Sequence, residues 1–285
     1  MATLRQLRNR VASVKNIQRV TNAMQLVAAA RVRRAQEHIL AARPYAQKLD
    51  QVLQQVSAGI GEDRHPLLSA RPVEQVAVVV VTADRGLCGG FNASICRHAL
   101  AELDAYEGRE VELVAVGRKG RDFFRNRDYT IGKEYTDLFQ ELAFGQAVTI
   151  AEDLTGRFMS GKVDRVVVMF NEFFSIAQQN PVSVQLLPIV PEEAKGDERG
   201  VEYIFEPDPE RLLDALVPRH VNFQIWRALL ESNAGEQAAR MTAMDNATKN
   251  AGDMVEELTR EMNKARQSSI TLELMDIIGG AEAVA

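Results

Sequence analysis

The chain has 285 residues, 46% of them hydrophobic and 26% charged, with a formal net charge of −5. That is enough apolar side chain for a real core, so general disorder is excluded, and the overall acidity gives no reason to expect a polyanionic partner. Two cysteines, Cys88 and Cys96, are too few for a disulfide framework and point to a reducing compartment; no Cys/His spacing fits a zinc site, and no apolar run approaches the roughly 18 residues of a membrane-crossing helix.

The first segment is unlike the rest in charge. Arg5, Arg8, Arg10, Lys15, Arg19, Arg31, Arg33 and Arg34 fall before Gln36 with no acidic residue among them. Its start is as Arg-rich as a transit peptide, but it flows without a cleavage-like break into a longer periodic pattern. Apolar residues recur at Leu4, Leu7, Val11 and Val14, then after a shift at Val32, Ala35, Ile39, Ala42, Ala46, Leu49, Leu53 and Val56. These steps of three and four are the seam of a coiled coil. Pro44 removes a hydrogen bond to the carbonyl of Leu40, so a kink or restart is expected there. The arginines are interleaved with the seam and no aromatic residue precedes Tyr45, which leaves no stacking surface for a nucleic acid.

The middle of the chain changes period. EQVAVVVVTADRG reads as a buried strand ending in a Gly-rich turn, FNASICRHALAELDAY as a helix, and VELVAVG as a second strand. RKGRDFFRNRD is a short helix, YTIGKEYT a weak strand, AVTIAEDLTGRFMSG a helix and DRVVVMFNEFF a strong strand, with AQQNP turning into VSVQLLPIV. Alternating strands and helices imply an open, mostly parallel sheet with an antiparallel edge from the last hairpin. Neither dinucleotide nor P-loop spacing can be drawn through Gly86, Gly89 and Gly90, and no Lys follows to meet a phosphate. The glycines are expected to turn the chain sharply and let another surface approach the backbone. No hydrolase or metalloprotease motif is present and the four histidines are scattered, so no catalytic residue, cofactor site or metal site is expected.

The last segment repeats the seam at Met241, Met244, Thr248, Ala251, Val255, Leu258, Met262, Ala265, Ser269 and Leu272. Two seams at opposite ends of one chain pair most simply as an antiparallel coiled coil, and a helix from near Pro209 to near Gly279 would be on the order of 100 Å long. The expected organisation is therefore α/β: a coiled-coil helix over 1–58, a Rossmann-like open α/β domain over 73–206, and a second coiled-coil helix over 209–285. Read from the residues alone, two ordinary amphipathic core helices, a coiled-coil adaptor, or a small-molecule-binding α/β domain with a coiled-coil dimerisation arm remain open.

Four stretches carry a resemblance over essentially the whole length: VTNAMQLVAAARVRRAQ, TADRGLCGGFN, ARMTAMDNATKNA, and above all the end ITLELMDIIGGAEA, with Ile270, Thr271, Glu273, Asp276, Gly280 and Ala281 in place. The chain resembles the gamma subunits of F-type ATP synthases. The resemblance implies a central-stalk rotor without chemistry of its own, turning inside a ring of alpha and beta subunits and resting on the epsilon subunit and the membrane c-ring. It implies no cofactor, no nucleic acid, no direct bilayer insertion, and a peripheral location on the cytoplasmic face of a bacterial inner membrane. No extra block carries redox-switch cysteines. Carried over by position, Arg266, Gln267 and Thr271 would contact a beta-subunit loop, and Met24 and Arg240 a collar of beta. Asp84, Arg85, Gly86, Cys88 and Gly89, running on to Gly90, would form a loop near the beta rim. Tyr203, Phe205 and Glu206 would form the foot on the c-ring and epsilon.

Overall fold

The computed structural model describes residues 3–60, 65–190 and 208–282. Two long helices, α1 (Leu4–Ile60) and α5 (Pro209–Glu282), flank β1 (Gln75–Val81), α2 (Phe91–Asp104), β2 (Glu110–Val116), α3 (Arg118–Arg125), β3 (Ile131–Tyr135), α4 (Phe144–Met159), β4 (Arg165–Phe173) and β5 (Gln179–Leu187). Contacts divide the chain into two compact units, one of residues 1–28 with 240–285 and one of residues 29–239.

The second unit contains a five-stranded sheet in the order β3-β2-β1-β4-β5, parallel except for β5. The alternation of strand side chains sorts its two faces. Val76, Val78, Val80, Leu113 and Met169 pack on Ile95, Cys96 and Ala99 of α2 and Phe124 of α3. Ala77, Val79, Val81, Val114 and Val168 pack on Ile150 and Leu154 of α4, on Leu53 and Val56 of α1, and on Val217, Val221 and Leu229 of α5. Being covered on both sides, β1 is apolar from Val76 to Val81, which is why it reads as a run rather than an alternation.

In the first unit α1 and α5 run antiparallel. The Cβ position of Gly252 faces Gln18 Nε2, Thr248 Oγ1 donates to Thr21 Oγ1 at 2.7 Å, and Gln25 Nε2 donates to Asp245 Oδ1 at 3.0 Å, so α5 numbers fall as α1 numbers rise. Leu7 and Val11 pack with Leu258, Met262 and Ala265. Thr3 and Gln6 close the start of α1 reciprocally: Thr3 N donates to Gln6 Oε1 and Gln6 N to Thr3 Oγ1.

Three sequence expectations change. Helix α1 passes through Pro44 without a restart. Pro44 lies on an exposed face, and the orphaned carbonyl belongs to Leu40, itself 61% exposed, so water can take the place of the missing donor. The β4 to β5 turn is not AQQNP but lies earlier, closed by Ser175 N to Gln178 O and Gln178 N to Ser175 O. Pro181 is then inside β5, the sheet's edge strand, where proline is tolerated. The α5 seam stops at Ser269: Leu272 is 65% exposed, because α1 begins at Leu4 and none of the described residues pairs with it.

Candidate functional site

Open α/β sheets take ligands at the carboxyl ends of their strands, where the order reverses. Here the reversal lies between β1 and β4. That crevice is filled by the chain itself. Phe173, the last residue of β4, packs with Leu230, Ala234 and Ala238 of α5 and with Val32, Ala35 and Ile39 of α1. Beyond β1, Ala83, Cys88 and Phe91 pack with Ala239. The residues of α5 that enter are small because they must be, Gly235 standing in contact with the Phe91 ring and Gln179. Over 228–240 almost every α5 side chain is buried, including Glu231, Ser232, Glu236 and Gln237. This small stripe, Ala234, Gly235, Ala238 and Ala239, was absent from the sequence reading; its repeat of four was the available signal.

The loop after β1 runs from Asp84 through Arg85, Gly86, Leu87 and Cys88 to Gly89 and Gly90, and it is braced at several points. Asn92 Oδ1 accepts the N–H of Ala83 at 2.9 Å, and Asn92 Nδ2 donates to Cys88 Sγ at 3.1 Å. Asp84 Oδ1 accepts the N–H groups of Arg118 at 3.1 Å and Asp137 at 3.0 Å, tying the loop to α3 and to the turn after β3. Thr82 Oγ1 donates to Val116 O and accepts Gly120 N–H at 2.8 Å. The Arg118 guanidinium bonded to Asp137 holds that carboxyl below the usual carboxylate range. Leu87 and Gly89 adopt positive φ, and Leu87 projects outward, 65% exposed. Cys88 itself points inward and is buried, so the loop presents Arg85 and Leu87 at the surface and keeps the thiol inside.

In the other unit, Met24 is half-buried and Arg240 buried. Arg266, Gln267 and Thr271 are exposed, and Thr271 Oγ1 donates back to Gln267 O at 3.0 Å. Around them Ile270, Leu272, Leu274, Met275, Ile277 and Ile278 are each at least half exposed, with Glu273, Asp276 and Ala281 also at the surface. Gly280 continues α5. A helical stretch with six large apolar side chains exposed, broken only by Thr271, Glu273 and Asp276, is a hydrophobic patch of the kind that marks interaction surfaces. Tyr203, Phe205 and Glu206 lie outside the described residues.

Among the described residues no cluster of three or more His, Cys, Asp or Glu is placed to hold a metal, and no helix is long and apolar enough to cross a membrane. The buried Cys96 thiol is pushed up to about 12 by loss of solvent, far from a nucleophile's range. A cavity of about 340 Å³ does lie between α1, α5 and the end of β4. Of the charged residues that line it, Arg227 is bonded to both Glu231 and Glu172.

A family model described as ATP synthase matches residues 3–284, and the ATP synthase gamma chain of Pelotomaculum thermopropionicum is 48% identical over 100% of both chains. The chain belongs to the ATP synthase gamma chain family. The gamma chain of Prosthecochloris aestuarii is 50% identical, covering 100% of this chain and 99% of its own. Among solved structures, a chain of the Euglena gracilis mitochondrial ATP synthase in an assembly of OSCP, F1 and c-ring superimposes with a TM-score of 0.70 at 20% identity, covering 99% of this gamma chain and 94% of its own. A chain of the Tetrahymena thermophila mitochondrial ATP synthase central stalk and c-ring gives 0.61 at 24% identity, covering 80% and 99%. The expected combination of long terminal helices and an open α/β sheet is thus the fold of these proteins.

Proposed function

We propose that this gamma chain is the central-stalk rotor of an F-type ATP synthase, passing torque between a proton-driven c-ring and catalytic sites on beta subunits while doing no chemistry itself. In this reading its partners are the alpha and beta ring, the epsilon subunit and the c-ring, and it works peripherally on the cytoplasmic face of a bacterial inner membrane. The observation that carries the proposal is the end of α5, where six large apolar side chains from Ile270 to Ile278 stand exposed in a helix that has outrun its partner. Such a surface suits the inside of an apolar sleeve. The filled crevice supports the same division of labour, since nucleotide chemistry is then left to neighbouring subunits.

A shaft in a pseudo-threefold sleeve works best without a strongly preferred angle. A charged hydrogen bond worth about 1.5 to 3 kcal/mol, lost entirely at the barrier, slows escape by roughly ten- to a hundredfold. Apolar contact from Ile277, Ile278 and the small residues after them carries no such register. Arg266, Gln267 and Thr271, just below, supply transient polar contacts with a beta loop; Met24 and Arg240 face the collar, the Asp84 to Gly90 loop faces the beta rim, and Tyr203, Phe205 and Glu206 form the foot. The basic residues from Arg5 to Arg34 steer assembly against acidic collar residues. The test is to purify the native complex, attach a probe to this chain and watch it during ATP hydrolysis. Stepwise rotation is expected; a probe that stays still while ATP is consumed would refute the proposal.

A further inference from the structure

A rotor that grips its own shaft only by apolar contact would slip, because small side chains slide past one another without a preferred register. Where α5 crosses the sheet, its small residues make contacts of that kind: Ala234, Gly235, Ala238 and Ala239 lie against Phe173, Phe91, Cys88 and Ala83. Directional ties occur one to two turns earlier. Arg227 Nη2 donates to Glu172 Oε1 at 2.9 Å, and Arg227 Nε to Glu231 Oε1 at 2.7 Å. The second oxygen of Glu231 accepts the backbone N–H of Phe173 at 3.4 Å. Two residues one turn apart on α5 are therefore fastened to two successive residues of β4, and the Arg227 to Glu231 bond joins the two fastenings. The Glu231 side chain is only 10% exposed, so that end of the network is sheltered from water, while Glu172 at 27% and Arg227 at 43% are partly solvated.

From this geometry we infer that Arg227, Glu172 and Glu231 form a torsional lock, the place where twist passes between the sheet and α5. The inference rests on the rotor reading and adds to it the positioning residues that keep the helix from rolling in its socket. Helix Cα atoms lie about 2.3 Å from the axis, and the guanidinium roughly 6 Å or more out. A roll of about 15° therefore moves the head group by about 1.5 Å, which takes a hydrogen bond from its usual length to beyond about 3.5 Å. Apolar neighbours at the same radius lose almost nothing in such a roll, since a replaced contact is as good as the lost one.

The experiment uses the whole assembled complex, with the alpha and beta ring fixed and a probe on the c-ring, and reads the angular spread of the probe during catalytic pauses. Arg227→Met and Glu172→Ala are each expected to broaden that spread about twofold in variance with ATP hydrolysis unchanged. The double substitution should broaden it no further than either alone, and Arg227→Lys, which keeps the charge but not the fork, should fall between. An unchanged spread in Arg227→Met overturns the lock. If that variant fails to assemble, Glu172→Ala decides by itself, because the Glu172 carboxyl is partly solvated and its loss leaves the Arg227 to Glu231 bond in place. Failure of the rotor reading is a different result: the probe on the unsubstituted complex would not turn during hydrolysis.

Discussion

Gly235 of α5 lies so close to Phe91 of α2 that a Cβ built on it would stand 3.2 Å from the ring carbon Cε2, with Gln179 Cγ at 3.4 Å on the other side. This contact plugs the position where a sheet of this topology would receive a nucleotide. Two outcomes follow. Gly235→Leu should cost about 1–3 kcal/mol through overpacking, read as a lower urea midpoint at unchanged slope. Millimolar ATP or NAD added to the isolated chain should leave its melting temperature where it was; a ligand held at micromolar Kd would instead contribute about 4 kcal/mol under those conditions.

Gly117 ends β2 with φ of +92°, and a Cβ there would fall 2.1 Å from the carbonyl oxygen of Thr82. Backbone cannot yield as a flexible side chain does. Gly117→Ala is expected to lose at least about 3 kcal/mol, combining the left-handed penalty with the displacement of β1. Gly90→Ala, where nothing stands within 4 Å and φ is negative, is the control and should be close to neutral. Chemical denaturation of the two variants side by side checks the contrast.

How much of this could be read from the sequence differs by element. The α1 seam was legible, since Leu7, Val11, Val32, Ala35, Ile39, Leu49, Leu53 and Val56 are all buried. So were β1 and β4, whose apolar runs admit few alternatives. What was hidden depended on a second element being in place. Leu272 has the right spacing but lacks a partner, which only the start of α1 determines. Ala234, Gly235, Ala238 and Ala239 looked like poor seam residues until the sheet supplied the wall they fit. Arg227, Glu231 and Glu172 are separated by 55 residues across the network, and nothing local marks them as partners. For the loop after β1, the glycines announced a sharp turn; that Cys88 points inward and Leu87 outward followed from packing against Phe91 and Ala239.

His65 is 8% exposed; its Nδ1 accepts the N–H of Leu67 at 3.1 Å, and its Nε2 faces Asp214 Oδ1 at 3.8 Å. Burial lowers its pKa from the ordinary 6.5, with Asp214 opposing in part. The folded chain therefore takes up this proton less readily than the unfolded chain, so the contribution is intact above about 6.5 and declines as pH falls from there toward the lowered value. Protonation also removes the acceptor that Leu67 uses. The loss of stability between pH 7.5 and 5.5, measured by urea midpoints, should be smaller in His65→Asn, which keeps an acceptor without a titrating ring. An equal loss in both proteins would contradict this account.

Arg266 follows Ala265, which packs on Leu7 and Val11 of α1, but its own side chain is exposed on the opposite side of the seam. Its removal has nothing to destabilise inside the chain, so Arg266→Ala should change the melting temperature negligibly, within the range of about 0.5 kcal/mol usual for surface sites. In the assembled complex the same substitution should slow ATP hydrolysis severalfold if the guanidinium meets a beta loop during each turn. Measuring both quantities on one variant separates a working contact from packing: equal effects on stability and turnover would argue for packing.

The tail offers the converse case. Apolar groups at Ile277 and Ile278 precede two glycines and mostly small side chains, and α5 is described as far as Glu282. If this stretch is a bearing surface, its contribution is contact without register, and contact area lost at the tip is small against that of the remaining shaft. Truncation before Gly280 should then leave rotation and coupled ATP synthesis largely intact in assembled complexes, with some loss of assembly yield. A complex that assembles normally, hydrolyses ATP and yet makes none under a proton gradient would mean that the last six residues carry a specific coupling contact. Replacing Gly279 and Gly280 by alanine, which stiffens the helix end without adding charge, should be equally well tolerated, since nothing lies within 4 Å of a Cβ at Gly279.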